Sequence, residues 1–420
     1  MTRTMKDSGI EWIGEIPEDW EIHRNKVVFS CNKEIVGENS NNIQLLSLTT
    51  GGVKTKDINS VGGKLPESFD TYQYVAIDNI IMCLFDLDMS AVFSGISNYN
   101  GMISPAYKVL KCNNNYIIPK YADYWFKFVF VDRKFATYAK NLRYTLSYDE
   151  FGVLSIPIPS LPEQQKIADF LDEKCSHIDS ILEKTKASID ECKQLKQSVI
   201  TQAVTKGIRP NRPMKDSGIE WIGQIPKDWE AATLKHYITW KSKKGCPDET
   251  VLSLYRDYGV IPKDSRDDNH NVTSIDTSDY KVVDVGDFVI NKMKAWQGSM
   301  AISKYRGIIS PAYHICTVNS TNIDLMYFHY LLRNKSYLPE YTRLSTGMRV
   351  GQWDLSFDDF KNIPFIIPPM NEQIEIVGYL DNKCSEIDKL ITKKEKLIEE
   401  LETYKKSLIY EYVTGKKEVI

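Results

Sequence analysis

The stretch MKDSGIEWIGEIPEDWE at residues 5–21 returns as MKDSGIEWIGQIPKDWE at residues 214–230, with 15 of 17 positions identical at an offset of 209. A repeat that spans half the chain implies two copies of one structural plan. The same offset reappears far downstream. Glu163-Gln164, Leu171-Asp172, Lys174-Cys175-Ser176 and Ile178-Asp179 match Glu372-Gln373, Leu380-Asp381, Lys383-Cys384-Ser385 and Ile387-Asp388. Between these anchors ISPAY at 103–107 faces ISPAY at 309–313 at an offset of 206, so a three-residue deletion separates the halves. It is cancelled before Leu146-Ser147, which pair with Leu355-Ser356. Constant ends therefore enclose a variable middle in each half.

The middles, residues 22–158 and 231–367, carry short β-branched and aromatic runs punctuated by Gly, Asn and Asp, which predicts strands joined by loops. Gln44 to Leu48, Tyr74 to Ile77, Ile80 to Leu84, Val251 to Tyr255 and Asp287 to Ile290 are the clearest strands, and Tyr121 to Phe130 and Leu325 to Arg333 read as helical. Each half then closes on a long helix. Pro157, Pro159 and Pro162 bar a helix upstream, Ser160 and Glu163 have capping-box spacing, and no breaker follows until Gly207 and Pro210. Apolar residues alternate at three and four, with Cys175, Leu182, Ile189 and Ala203 in one row and Ile178, Cys192 and Val199 in the other. The second tail repeats the register with Cys384, Ile391, Ile398 and Tyr412 beside Ile387, Leu401 and Leu408, and both tails place a lysine, 196 or 405, in the same slot. Matched seams predict an antiparallel coiled-coil pair, each helix on the order of 65 Å at about 1.5 Å per residue. The expected architecture is mixed α/β (α+β): a globule over 1–158, a spacer helix over 159–210, a second globule over 211–367 and a C-terminal spacer helix over 368–420, related by a pseudo-two-fold internal repeat.

With 420 residues, 53 Lys plus Arg and 56 Asp plus Glu, the chain has a formal charge of −3. That excludes a uniformly basic coat, so any polyanion site must be built from local clusters. No run approaches the roughly 18 apolar residues of a membrane span, and the N-terminal residues lack a secretory pattern, which predicts a cytosolic protein. Eight scattered cysteines without C-x-x-C suggest neither zinc nor a redox pair. They read as small buried side chains.

Enzyme signatures do not emerge. Gly415-Lys416 lacks the preceding glycine of a phosphate loop, and IPPM at 367–370 lacks the polar and aromatic residues that an amino-methyltransferase needs to hold a base. Glu191 and Lys193, and Asp179, fall on a helix, where charge runs are solvated faces. No catalytic or metal-binding residue is therefore assigned. Lysines and arginines near glycines at strand ends suit phosphate contacts and groove entry. In the second half these are Lys241, Lys243 and Lys244 in one loop, Arg256 after a strand, and Lys292, Lys294 and Trp296 after another, with Arg349 further on. In the first half they are Lys54, Lys56 and Lys64 in a glycine-rich loop, with Arg143.

The opening motif and its repeat, NKMKAWQG at 291–298 followed by GIISPAY at 307–313, and the prolines and Glu-Gln that precede the helices resemble type I restriction-modification specificity subunits. The resemblance covers the full chain. It implies that each middle is a target recognition domain reading one part of a split, asymmetric double-stranded DNA site, with the helices spacing the parts. The implied partners are two modification subunits, which carry S-adenosylmethionine and methylate adenine, and restriction subunits, which carry ATP- and magnesium-dependent translocation and cleavage. This chain would itself hold no cofactor and be non-catalytic. IIMCLFD at 80–86 departs from VINKMKAW at 289–296, so residue roles do not transfer between these segments by sequence. Two other readings stand beside this one: a self-contained DNA methyltransferase or nuclease, and a coiled-coil protein scaffold.

Overall fold

The computed structural model describes residues 3–31, 33–57, 68–139, 143–256, 258–266, 276–319, 321–347 and 353–419. The chain divides into two compact units, Met1–Lys186 with Lys396–Ile420, and Ala187–Glu395. Each unit contains one globule and segments of both long helices.

In the first unit Met5–Asp7 pairs with Glu15–Pro17, and Glu21–Arg24 pairs with Ser155–Ile158, both antiparallel. A four-stranded sheet follows the order Phe29–Ser30, Lys108–Cys112, Ile80–Met82, Ser94–Ile96. A hairpin of Leu46–Thr49 with Gly52–Thr55 and a pair of Gly101–Ile103 with Gln73–Val75 complete it. The second unit repeats this set. Its four-stranded sheet runs Ile238–Lys241, Tyr313–Val318, Phe288–Asn291, Met300–Ile302, and its hairpin is Leu252–Tyr255 with Gly259–Pro262. The expected strands and the helices Pro119–Val131 and Leu325–Leu332 are present within a few residues of their sequence-based positions.

The near-identical opening motif builds a frame that holds the start of a long helix. Trp20, fully buried, donates from Nε1 to Glu163 Oε2 at 3.1 Å, while Arg3 reaches Glu163 at 2.5 Å and Asp19 at 2.8 Å. Trp229, Glu372, Arg212 and Asp228, each 209 residues on, repeat the arrangement, with Trp229 Nε1 3.0 Å from Glu372 Oε2. The hydrogen bond from Arg3 holds the Asp19 carboxyl below its usual range, and Arg212 is held protonated chiefly by Glu372. Sequence spacing assigned Glu163 to a capping box. The Ser160 hydroxyl does receive the Glu163 N–H at 3.4 Å, but the carboxylate is engaged by Trp20 and Arg3. Gly207 closes this frame in the second unit at φ +77°, where a Cβ would lie 2.8 Å from Glu372 and 3.3 Å from Trp229.

The adjacent glutamines tie each helix start to its globule. Gln164 donates to the Pro159 and Tyr116 carbonyls and accepts from Ile118 N–H, and Gln373 does the same with Pro368, Asn322 and Asp324. The far end of the other helix is fixed by a buried tyrosine: Tyr121 hydroxyl to Val413 carbonyl at 3.1 Å, and Tyr327 hydroxyl to Val204 carbonyl at 3.2 Å.

The long helices span Leu161–Lys206 and Met370–Val413. Within the first unit Lys405 contacts both oxygens of Asp179 at 2.6 and 2.7 Å, and Lys186 approaches Glu402 at 3.8 Å. Partner numbers fall on one helix as they rise on the other, so the segments run antiparallel. The second unit shows the same sense through Lys196 with Asp388 and Arg209 with Glu375, both at 2.7 Å. The lysine shared by the two seams thus forms an inter-helix ion pair in each unit. Cys175, Ile178, Leu182 and Leu408 are buried in the first unit's core, and Ala203, Leu380 and Cys384 in the second's. Five cysteines are buried and three are half-buried, all free. No helix among the described residues is long and apolar enough to cross a membrane.

Candidate nucleic-acid interface

In the second unit the basic loop grows out of the sheet's edge strand Ile238–Lys241. Lys241 is half-buried and its ammonium lies between Asp284 and Asp287, 2.6 Å from the latter. Burial opposes its charge, but the two carboxylates outweigh this and raise its pKa, while Lys241 lowers that of Asp284. Arg306 bridges Asp284 at 2.5 Å and Glu249 at 3.0 Å, so the network is mixed in sign. Lys244 pairs with Asp279 at 2.8 Å. Lys243 is exposed, and its carbonyl is anchored by Val282 N–H at 2.8 Å.

The next strand, Phe288–Asn291, runs into a 3-10 turn over Lys292–Gln297 that ends at Gly298, φ +76°. Lys292 pairs with Asp354 at 2.9 Å, and Lys294 points into solvent. Trp296 is half-buried with its ring 5.3 Å from that of Trp353, and its Nε1 has no hydrogen-bond partner among the described residues. Lys281, which sequence reading did not single out, is 7% exposed and donates to the Pro311 and Tyr313 carbonyls at 3.1 and 2.7 Å. Burial lowers its pKa, and the nearby charges of Lys292 and Lys244 add to this. In the first unit Gln73 does the same work, donating to Ser104 and Tyr107 carbonyls at 3.2 and 2.7 Å. The repeated ISPAY is therefore a turn closed by a buried donor.

Other candidates lie apart. Arg256 follows its strand as expected, and its carbonyl receives the Arg333 guanidinium. That hairpin borders a cleft of about 970 Å³ lined by Tyr258, Lys304, Tyr305, Arg333, Lys389 and Lys393. Lys54 lies within the strand Gly52–Thr55, opposite Ser47, and not in a loop; Lys56 follows it, half-buried. Arg143 is exposed. Lys64 and Arg349 lie outside the described residues.

Backbone hydrogen bonds supply the alignment of the halves that side chains conceal. Leu146 N–H donates to Leu84 carbonyl at 2.8 Å, and Leu355 N–H donates to Lys292 carbonyl at 3.0 Å. Leu84 is therefore the counterpart of Lys292. The segment after it, with Arg143 and Tyr144 alongside, is the first unit's counterpart of the turn carrying Lys294 and Trp296. Asp86 and Met89 on this segment were missed because neither is basic.

The family model for the type I restriction modification DNA specificity domain matches residues 226–403. A putative type I restriction enzyme MjaX specificity subunit of Methanocaldococcus jannaschii is 25% identical over 404 residues, covering 91% of this chain and 90% of the relative. Over 226–403 the chain matches the specificity domain, and along most of its length it is similar to type I restriction enzyme specificity subunits. The EcoKI specificity subunit of Escherichia coli is 24% identical over 270 residues, covering 57% of this chain and 53% of its own length. Two solved structures share the fold of this chain. A chain from a study of complex assembly and conformational transition of the type I R-M system aligns with TM-score 0.70 at 14% identity, over 96% of this chain and 99% of that one. The HsdS subunit from Thermoanaerobacter tengcongensis aligns with TM-score 0.54 at 16% identity, over 98% and 100%.

Proposed function

We propose that each globule of this specificity subunit reads one half of a bipartite, asymmetric DNA site, and that the subunit directs modification without performing it. The observation that carries this reading is the contrast between frame and loops. Trp20, Glu163, Gln164 and Tyr121 have counterparts with the same contacts in Trp229, Glu372, Gln373 and Tyr327. The segments that follow Ile80–Met82 and Phe288–Asn291 share a backbone register and almost no chemistry. A duplicated frame holding two different sets of exposed side chains suits two different base sequences.

The long helices set the spacing between half-sites and dock two modification subunits. Those subunits hold S-adenosylmethionine and methylate adenine, and restriction subunits supply ATP- and magnesium-dependent cleavage. Replacing residues 22–158 with those of a relative, in cells that also make the modification subunit, is expected to change one half of the methylated motif when genomic methylation is mapped. A change in both halves, or in neither, would overturn the assignment of one half-site to each globule.

A further inference from the structure

We propose that the turn Asp86 to Ser90, together with Arg143 and Tyr144, is the base-reading element of the first unit, with Met89 and Arg143 entering a groove of duplex DNA. The proposal rests on the DNA-binding reading above and assigns it to residues.

The turn is anchored from below and clamped from the sides. Leu84 and Leu87 are buried in the unit's main core, whereas Met89 is 81% exposed, the highest value among the exposed large hydrophobic residues described. Asp86 carbonyl accepts from Met89 N–H at 3.0 Å and from Ser90 N–H at 2.7 Å. Arg133 Nη1 donates to the carbonyls of Leu87 and Ser90 at 3.0 and 2.9 Å, stapling the two ends together. On the other side Asp86 N–H and Leu87 N–H donate to the carbonyls of Arg143 and Tyr144, both at 3.1 Å.

Asp86, Arg133 and Tyr144 have φ of +50°, +50° and +43°, three of the five non-glycine residues with positive φ among those described. For a residue as bulky as tyrosine this conformation is an outlier. Strain of this kind persists only where the surroundings over-determine it, and it clusters at ligand-gripping sites. A single exposed methionine is ordinary on a protein surface. An apolar tip on a turn fixed by six hydrogen bonds is a preorganised one, which loses little freedom on binding.

The exposed groups suit base edges. A guanidinium can take guanine O6 and N7, a thioether tip can pack on a thymine methyl, and the Asp86 carboxylate can accept from a cytosine amino group. The counterpart turn in the second unit offers Lys294 and Met293, exposed on the same backbone register. A difference in chemistry at one structural position is what distinct half-sites require.

The test uses the full chain assembled with its modification subunit. Met89→Ala and Arg143→Ala replace exposed side chains, so folding is expected to persist. Each should lower affinity for duplexes carrying the cognate half-site by about 10-fold, and relax one position in one half of the mapped methylation motif. Affinity for random-sequence duplex should change less than about 2-fold, as expected when a base contact and not a phosphate contact is lost. An unchanged motif with unchanged cognate affinity would overturn the proposal, as would equal losses on cognate and random DNA. Loss of assembly with the modification subunit would make the turn a protein contact and overturn it too. If the wild-type complex methylates no defined sequence, the underlying reading fails instead, so the two failures are separable.

Discussion

In the first unit the backbone N–H of Ile96 donates to Asp123 Oδ1 at 3.2 Å; in the second that of Ile302 donates to His329 Nδ1 at 3.1 Å. A basic residue four positions on completes each arrangement, Lys127 2.7 Å from Asp123 and Arg333 2.8 Å from His329 Nε2. Burial, then Arg333 and Lys304, press the His329 pKa down to about 3. A protonated ring would donate from both nitrogens and leave Ile302 N–H without its acceptor. The folded value lies below the unfolded value of roughly 6.5, so the neutral ring contributes stability that is complete above that pH and is lost as pH falls toward 3. Between pH 6.5 and 5 the loss should reach about 1.6 kcal/mol, the slope rising toward about 1.36 kcal/mol for each pH unit as the unfolded ring becomes fully protonated. Thermal unfolding of the full chain at the two pH values should show this drop, and His329→Asn should flatten it. An equal drop in the variant would assign the pH dependence to other groups.

Among the elements, the long helices were the most legible from sequence, because a seam repeats along the chain and needs no knowledge of distant partners. The seam also placed Lys196 and Lys405 in one slot, and the structure gives each an aspartate on the opposite helix, Asp388 and Asp179. These pairs are partly exposed, so each should contribute only about 0.5 kcal/mol. Denaturant unfolding of Lys196→Ala, Asp388→Ala and the double variant should show a coupling of that size, whereas additive losses would mean the pair contributes nothing. The exchange Lys196→Asp with Asp388→Lys should recover most of what Lys196→Asp alone removes. The turns after Ile80–Met82 and Phe288–Asn291 were far less legible. Their equivalence resides in hydrogen bonds from Leu146 and Leu355, which come from segments about 60 residues away. No side-chain pattern in IIMCLFD and VINKMKAW reports it, and a search for basic residues therefore passed over Asp86 and Met89.

For the molecule as a whole, a charge of −3 means that DNA affinity must come from cations left free by their neighbours. Sequence alone weighs Lys241, Lys243 and Lys244 alike, since the acids that pair with them lie 35 to 46 residues away. Lys244 is matched by Asp279 at the surface, while Lys241 is held by Asp284 and by Asp287, which is 3% exposed. Lys243 is exposed and has no ion-pair partner among the described residues. A free surface lysine that meets a phosphate displaces one condensed counterion, whereas a lysine that must first leave a buried carboxylate gains little. Lys243→Ala should therefore lower the slope of log Kobs against log salt by about one, on specific and random duplexes alike, when the chain is assayed with the modification subunits proposed above. Lys241→Ala should leave that slope unchanged and instead destabilise the chain by about 3 to 5 kcal/mol, because the Asp287 carboxylate stays buried without its cation. Salt titrations and thermal unfolding of the two variants separate these outcomes. A slope that falls equally in both would show that Lys241 leaves its carboxylates to meet DNA, and a slope unchanged in Lys243→Ala would move the phosphate contacts off this loop.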